Sequence, residues 1–146
     1  MKIRQAKPSD FKELYALGLN TPEFRVSATE SFMDKDDFKG RLTGKNHVFL
    51  LAESEGKIIG FISANAKDAD SALKNKYACI VYIVVLPLYR KKGVASRLYK
   101  ECITKLKDMG ITNVYAWADM NSGIIPFFKK KKFKIGKPSV WVDKKL

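Results

Sequence analysis

The stretch that decides the fold reads Tyr77-Ala78-Cys79-Ile80-Val81-Tyr82-Ile83-Val84-Val85-Leu86-Pro87-Leu88-Tyr89-Arg90-Lys91-Lys92-Gly93-Val94-Ala95. Its opening run, Tyr77 to Val85, is apolar at both alternating sets of positions, the pattern of a central strand covered on both faces. Pro87 stops that strand, and three basic residues lead into Gly93. Beyond it Ala95, Leu98, Tyr99, Cys102, Ile103, Leu106 and Met109 recur at helical spacing until Gly110 ends the helix. A buried strand that feeds a basic, glycine-bearing turn into a helix makes a cradle for an anion. The first helical turn offers unpaired N–H groups and the positive end of the macrodipole, while Gly93 admits a positive φ or a close-lying phosphate. Arg90, Lys91 and Lys92 supply charge where the ligand arrives.

Upstream, Ile3 to Ala6 reads as a strand, and Pro8-Ser9-Asp10 starts a helix carrying Phe11, Leu14, Tyr15 and Leu17 that breaks at Asn20-Thr21-Pro22. Asp34 caps a second helix bearing Phe38 and Leu42. His47 to Ala52 and Lys57 to Ala64 are β-rich runs joined by Glu53-Ser54-Glu55-Gly56, a hairpin signal, and a polar loop, Asp68 to Asn75, follows. Downstream, Asn113 to Ala118 reads as a strand, Ser122 to Lys131 as a short helix, and Phe133 to Val142 as one bent or two short strands. The order β-α-α-β-β-β-α-β-α-β describes one mixed α/β domain over residues 1–146.

The composition, 146 residues with 46% hydrophobic and 29% charged, suits one domain with a real core. The formal charge of +13 is uneven. Residues 1–73 hold 11 basic and 11 acidic side chains, and the whole excess falls on residues 74–146. That asymmetry favours a localised anion site in the second half. Two cysteines inside apolar segments argue against a disulfide scaffold and for a reducing cytoplasm. A sole histidine, His47, without a close cysteine pair argues against a zinc site, so no metal is expected. The N-terminus has no apolar signal-peptide core, and the longest apolar run is too short to span a bilayer as a helix, so no membrane association is expected.

No pair of glycines fits the dinucleotide fingerprint, and no Gly-Lys pair completes a Walker loop. Arg90-x-x-Gly93-x-Ala95 instead resembles the R/Q-x-x-G-x-G/A pyrophosphate signature of the GNAT superfamily of acetyl-CoA-dependent N-acetyltransferases. Val85-Leu86-Pro87-Leu88-Tyr89-Arg90 is similar to the approach common in that family, and Asn121, Phe127-Phe128 and Lys132-Phe133 stand where it often has an Asn, an aromatic pair and a Gly-Phe. The resemblance implies a mixed, mostly antiparallel sheet, splayed between the fourth and fifth strands and flanked by about four helices. It implies acetyl-CoA as co-substrate, with the pyrophosphate held by the backbone of Arg90, Lys91, Lys92, Gly93, Val94 and Ala95 and by nearby Ser96. The pantetheine arm would lie along Ile83, Val84 and Val85, hydrogen-bonded by Asn121, with Phe127 and Phe128 walling the thiol end.

The implied reaction is direct attack of a primary amine, of a small molecule or a protein, on the thioester, with a backbone N–H near Ile83 to Val85 stabilising the oxyanion. Many relatives place an acidic tyrosine where this chain has Phe128. Tyr82, Tyr115 or a water are the candidates to protonate the thiolate, and Asp119 is the carboxylate best placed to act as base. Lys132 departs from the usual Gly. The segment Asn20 to Gly44 should cover the acceptor, with Glu23, Phe24 and Glu30 as binding residues, and its acids suggest a cationic amine. Dimers are common in the family, which makes a homodimer one expectation. Two other readings use the same residues: a basic nucleic-acid-binding module without catalysis, which is weaker because the aromatics fall at core spacing, and a coenzyme A binder that has lost catalysis.

Overall fold

The computed structural model describes residues 1–67 and 77–146, so the polar loop expected at 68–75 lies outside the described residues. Five strands, β1 (Lys2–Gln5), β2 (His47–Ser54), β3 (Lys57–Lys67), β4 (Tyr77–Val85) and β5 (Asn113–Ala116), form one sheet in sequential order. Every neighbouring pair is antiparallel except β4 and β5, which are parallel. The helices are α1 (Phe11–Leu19), α2 (Lys35–Thr43), α3 (Val94–Asp108) and α4 (Ile124–Lys130). The β2–β3 hairpin closes through Glu55 and Gly56 at φ 51° and 75°, the paired positive values a two-residue type I′ turn demands. Asp34 caps α2 as read, its carboxylate accepting from the N–H groups of Asp36 and Asp37.

Side chains alternate across the sheet and divide the core in two. Beneath α3 the packing is largely aliphatic, with Val48, Leu50, Ile62, Ala64, Leu98, Cys102 and Leu106 joined by Phe128 of α4. Beneath α1 and α2 it is aromatic: Phe38, Phe49 and Phe61 are fully buried with Leu14, and Phe11, Tyr15, Phe24 and Phe32 pack around them. Each fully buried ring or leucine contributes about 1.5–3 kcal/mol relative to exposure. Gly60 of β3 lies so close to β4 that a Cβ there would meet the Val84 carbonyl oxygen at 2.5 Å.

Two expectations need correcting. β4 is not covered on both faces, since Val81, Tyr82 and Ile83 are only half-buried. Its partner β5 is four residues long and leaves the second half of β4 without a strand neighbour on that side among the described residues. Nor does Phe133 to Val142 form strands. β propensity is realised only through cross-strand partners, and this segment has none: Val140, Trp141 and Val142 remain exposed. The tail is held by polar contacts on the α1–α2 connection instead. Asp143 accepts from Ser27 Oγ and from Trp141 Nε1, and Lys145 pairs with Glu30 at 3.3 Å.

Candidate functional site

The parallel pairing of β4 with β5 runs only from Tyr77 opposite Asn113 to Ile80 opposite Ala116. On the β3 side the register jumps between Ser63 opposite Tyr82 and Ala64 opposite Ile80, so Val81 is the extra residue of a bulge. A bulge bends and further twists its strand. At that point β4 parts from β5 and the sheet splays. The Leu86 N–H donates to the Ile59 carbonyl at 2.9 Å. Because antiparallel rungs alternate, the even residues Val84 and Tyr82 also face β3, and the backbone groups of Ile83 and Val85 face the gap.

The open edge runs straight into the anion cradle. After the 3-10 turn Pro87–Tyr89, the Arg90 side chain folds back so that its Nε donates to the Val85 carbonyl at 2.9 Å. Gly93 caps α3 at φ 82°, a conformation that an L side chain adopts only under strain. The first helical hydrogen bond is from the Arg97 N–H to the Gly93 carbonyl at 3.0 Å, so the N–H groups of Gly93, Val94, Ala95 and Ser96 have no intrahelical partner. No acidic residue sits in the first turn to neutralise it, and Arg90, Lys91, Lys92 and Arg97 are all exposed around it. Buried Val94 pins the turn to the core. Such an arrangement attracts and orients a phosphate.

The remaining site residues fall on both sides of the gap. Tyr82 lies on the aromatic face, its ring 4.6 Å from that of Phe24 and 5.3 Å from that of Phe32. The structure therefore brings Phe24 onto β4, together with Phe32, which the sequence did not single out. Burial raises the Tyr82 hydroxyl above the ordinary tyrosine range. Tyr115 stands opposite Cys79 on β5, and its hydroxyl is also raised, by desolvation first and then by Cys79. Both phenols therefore hold their protons at neutral pH and can donate one but not accept one.

Asp119 is committed to the turn before α4, its carboxylate accepting from the Asn121 N–H at 2.9 Å and its carbonyl from Ser122 Oγ at 2.7 Å. Asn121 is exposed. Phe128 is buried against Phe133, with ring centres 4.9 Å apart, and Phe127 meets Tyr99 of α3 edge-on at 5.9 Å. Glu23 is exposed on the 3-10 turn Pro22–Phe24, next to Phe24, and Glu30 is taken up by Lys145. Burial pushes the Cys102 thiol up to about 12, which removes it as a nucleophile. Among the described residues no three His, Cys, Asp or Glu side chains gather where they could hold a metal.

The Val81 bulge carries no signature of its own, since Val81 reads as one more apolar residue in a run of nine. A half-buried tyrosine inside that run was the available hint.

These features agree with what the chain resembles. Residues 14–133 match the model of the acetyltransferase (GNAT) family. An uncharacterized N-acetyltransferase of Bacillus subtilis (strain 168), YhfO, is 33% identical over 98 residues, which cover 67% of this chain and 65% of that relative, just under two thirds of its length. Among solved structures, a tetramutant of the BH1408 protein from Bacillus halodurans superposes with a TM-score of 0.81 at 17% identity, covering 98% of this chain and 99% of that one. The aminoglycoside N-acetyltransferase AAC(6')-Iy in complex with CoA superposes with a TM-score of 0.76 at 17% identity, covering 99% and 100%. The splayed sheet and the family model concur, and the chain belongs to the acetyltransferase (GNAT) family.

Proposed function

We propose that the protein is an N-acetyltransferase that moves the acetyl group of acetyl-CoA directly to a primary amine of a small molecule. The observation that carries this reading is the continuity of two features: the unpaired edge of β4 leads without interruption to the unpartnered N–H groups at the start of α3. The N–H groups of Gly93 to Ser96, with the charges of Arg90, Lys91 and Lys92, suit the coenzyme A pyrophosphate. The outward N–H and C=O of Ile83 and the N–H of Val85 suit the amides of the pantetheine arm, with Asn121 reaching it from the other side, while the Val85 carbonyl is held by Arg90. Phe127 and Phe128 support the α4 wall from within the core. The aminoglycoside acetyltransferases among the structural neighbours support a small amine as acceptor. Two cysteines, neither in a disulfide among the described residues, favour a reducing, cytoplasmic setting.

Acetyl-CoA supplies an activated acyl group and a thiolate that leaves readily. The chain supplies position and protons. An outward-facing N–H near Ile83 to Val85 stabilises the thioester oxygen as the amine adds. Tyr82 and Tyr115, both held protonated, flank the point of splay and are the groups able to give a proton to the departing sulfur. Asp119, tied into its turn, takes the amine's proton only through a bridging water.

Titration calorimetry tests the reading. Acetyl-CoA should bind in the micromolar range, and Gly93→Asp should weaken it by about 100-fold or more by placing a carboxylate and a strained φ in the cradle. Salt-sensitive binding of DNA or RNA without affinity for the coenzyme would overturn it. Free-thiol release with an amine panel then separates an enzyme from a silent coenzyme A binder.

A further inference from the structure

Among the described residues, three buried side-chain polar atoms have no hydrogen-bond partner: Arg41 Nη1, His47 Nδ1 and Ser63 Oγ. All three belong to α2 or to the face of the sheet that it covers. Phe38, one turn before Arg41 on α2, rests on Phe49 and Phe61 with ring centres 5.3 and 6.2 Å apart. His47 precedes Phe49 by two on β2 and Ser63 follows Phe61 by two on β3, so both share the face that α2 covers. Phe49 stands opposite Ser63, and Ser63 stands opposite Tyr82. The charge of Arg41 is felt at both His47 and Tyr82. Phe49, Ser63 and Tyr82 thus form one row across the sheet that ends where β4 leaves β5, with His47 the next same-face residue along β2.

Arg41 has no carboxylate within ion-pair distance among the described residues, unlike Arg4, which binds both Asp10 and Glu53. The acids of the Asn20 to Gly44 segment are used elsewhere or face water: Asp34 caps α2, Glu30 pairs with Lys145, and Asp36, Asp37 and Glu23 are exposed. The charged group left without a counter-charge on this face is therefore a cation, Arg41. A buried guanidinium N–H without an acceptor is costly to keep, and the fork of an arginine matches a carboxylate. Burial, and secondarily Arg41, hold His47 below the ordinary histidine range, so the cluster carries one positive charge and fits a monoanion better than a phosphate dianion.

We propose that Arg41, Ser63 and His47 form a carboxylate subsite, and that the acceptor is an amine of the amino-acid class whose carboxylate they hold. Ser63 stands opposite Tyr82 on strands about 5 Å apart, so a carboxylate drawn by Arg41 to this face leaves an amino group a few bonds away beside Tyr82, at the mouth of the splay. The inference rests on the acetyltransferase reading and narrows its acceptor.

Calorimetry on the coenzyme A-saturated protein tests it, with alanine, glutamate and lysine as probes against their C-terminal amides and against putrescine. At least one free acid should bind about 10- to 100-fold more tightly than its amide. Arg41→Gln should remove that ratio by weakening the acid alone, Arg41→Lys should restore part of it, and Ser63→Ala should reduce it. Unchanged coenzyme A affinity shows that each variant is folded, and the wild-type ratio needs no variant. The proposal is overturned where no acid exceeds its amide, where putrescine is the tightest ligand, or where Arg41→Gln leaves the ratio intact. Failure of coenzyme A to bind the wild type sinks the acetyltransferase reading instead, and the same acid-to-amide ratio on the free protein still decides the subsite.

Discussion

The two faces of the sheet are built on different principles. Under α3 the packing is mainly aliphatic and its functional feature, the start of that helix, is assembled from consecutive residues, Val85 to Ser96. Under α1 and α2 the packing is aromatic, and its polar cluster joins Arg41, His47 and Ser63 from three separate elements. The first face leaves open the outward N–H groups at the start of α3. The second buries polar atoms that nothing among the described residues satisfies. A site for a ligand shared by a whole family can be written in a short stretch of backbone, whereas a site for a particular acceptor has to be gathered from side chains.

Phe38→Ala should break the second face with the largest effect. Phe38 is fully buried and in ring contact with Phe11, Tyr15, Phe32, Phe49 and Phe61. Truncating a buried phenylalanine costs about 3–5 kcal/mol, which urea denaturation would register as a lower midpoint at constant slope. The protein that remains folded should keep its coenzyme A affinity, because none of those contacts touches the start of α3. A parallel loss of coenzyme affinity would show that the two faces are not separable.

The same contrast explains what could be read from the sequence. The strand, the stop at Pro87, the turn and α3 were legible because each depends on neighbouring residues: apolar alternation, a proline, a glycine at positive φ. Phe133 to Val142 misled because its β-prone residues look alike with or without a partner strand, and here the residues after it, Asp143 and Lys145, make polar contacts with the α1–α2 connection instead of leading it into the sheet. Arg41 reads as an ordinary surface residue of a short helix and Ser63 as a polar break in a strand. Only the register that sets Ser63 between Phe49 and Tyr82 reveals that it is buried. The splay was implied by resemblance, but its physical cause, the bulge at Val81, is a property of pairing and is invisible in one chain's sequence.

A smaller effect is expected at the satisfied arginine. Arg4 grips Asp10 with two hydrogen bonds of 2.7 and 2.9 Å and Glu53 with one of 2.8 Å, tying β1 and β2 to the start of α1. The Arg4 hydrogen bonds hold the Asp10 carboxyl below the ordinary range, against a desolvation that opposes them. A depressed carboxylate stabilises the fold above its unfolded value of about 4 and ceases to do so as pH falls through its folded value. Asp10→Asn should therefore cost about 1–2 kcal/mol at pH 7, and the gap from wild type should narrow as the pH is lowered below about 4. A gap independent of pH between 7 and 3 would mean that packing, not charge, holds this corner.

Ser63→Ala should give the smallest change and the opposite sign. Ser63 is 1% exposed and its hydroxyl is unpartnered, so the wild type bears the desolvation of that oxygen with no hydrogen bond in return. Alanine removes one atom, opens little space among Phe49, Phe61 and Tyr82, and leaves no partner behind unsatisfied. The free protein should gain up to about 1 kcal/mol, seen as a rise in thermal midpoint, while the preference for a free carboxylate over its amide falls. A gain in stability bought by a loss of ligand discrimination is the expected mark of a residue kept for binding. Should Ser63→Ala destabilise the free protein by more than about 1 kcal/mol, the hydroxyl is part of the fold's own hydrogen bonding, and the second face is a core like the first.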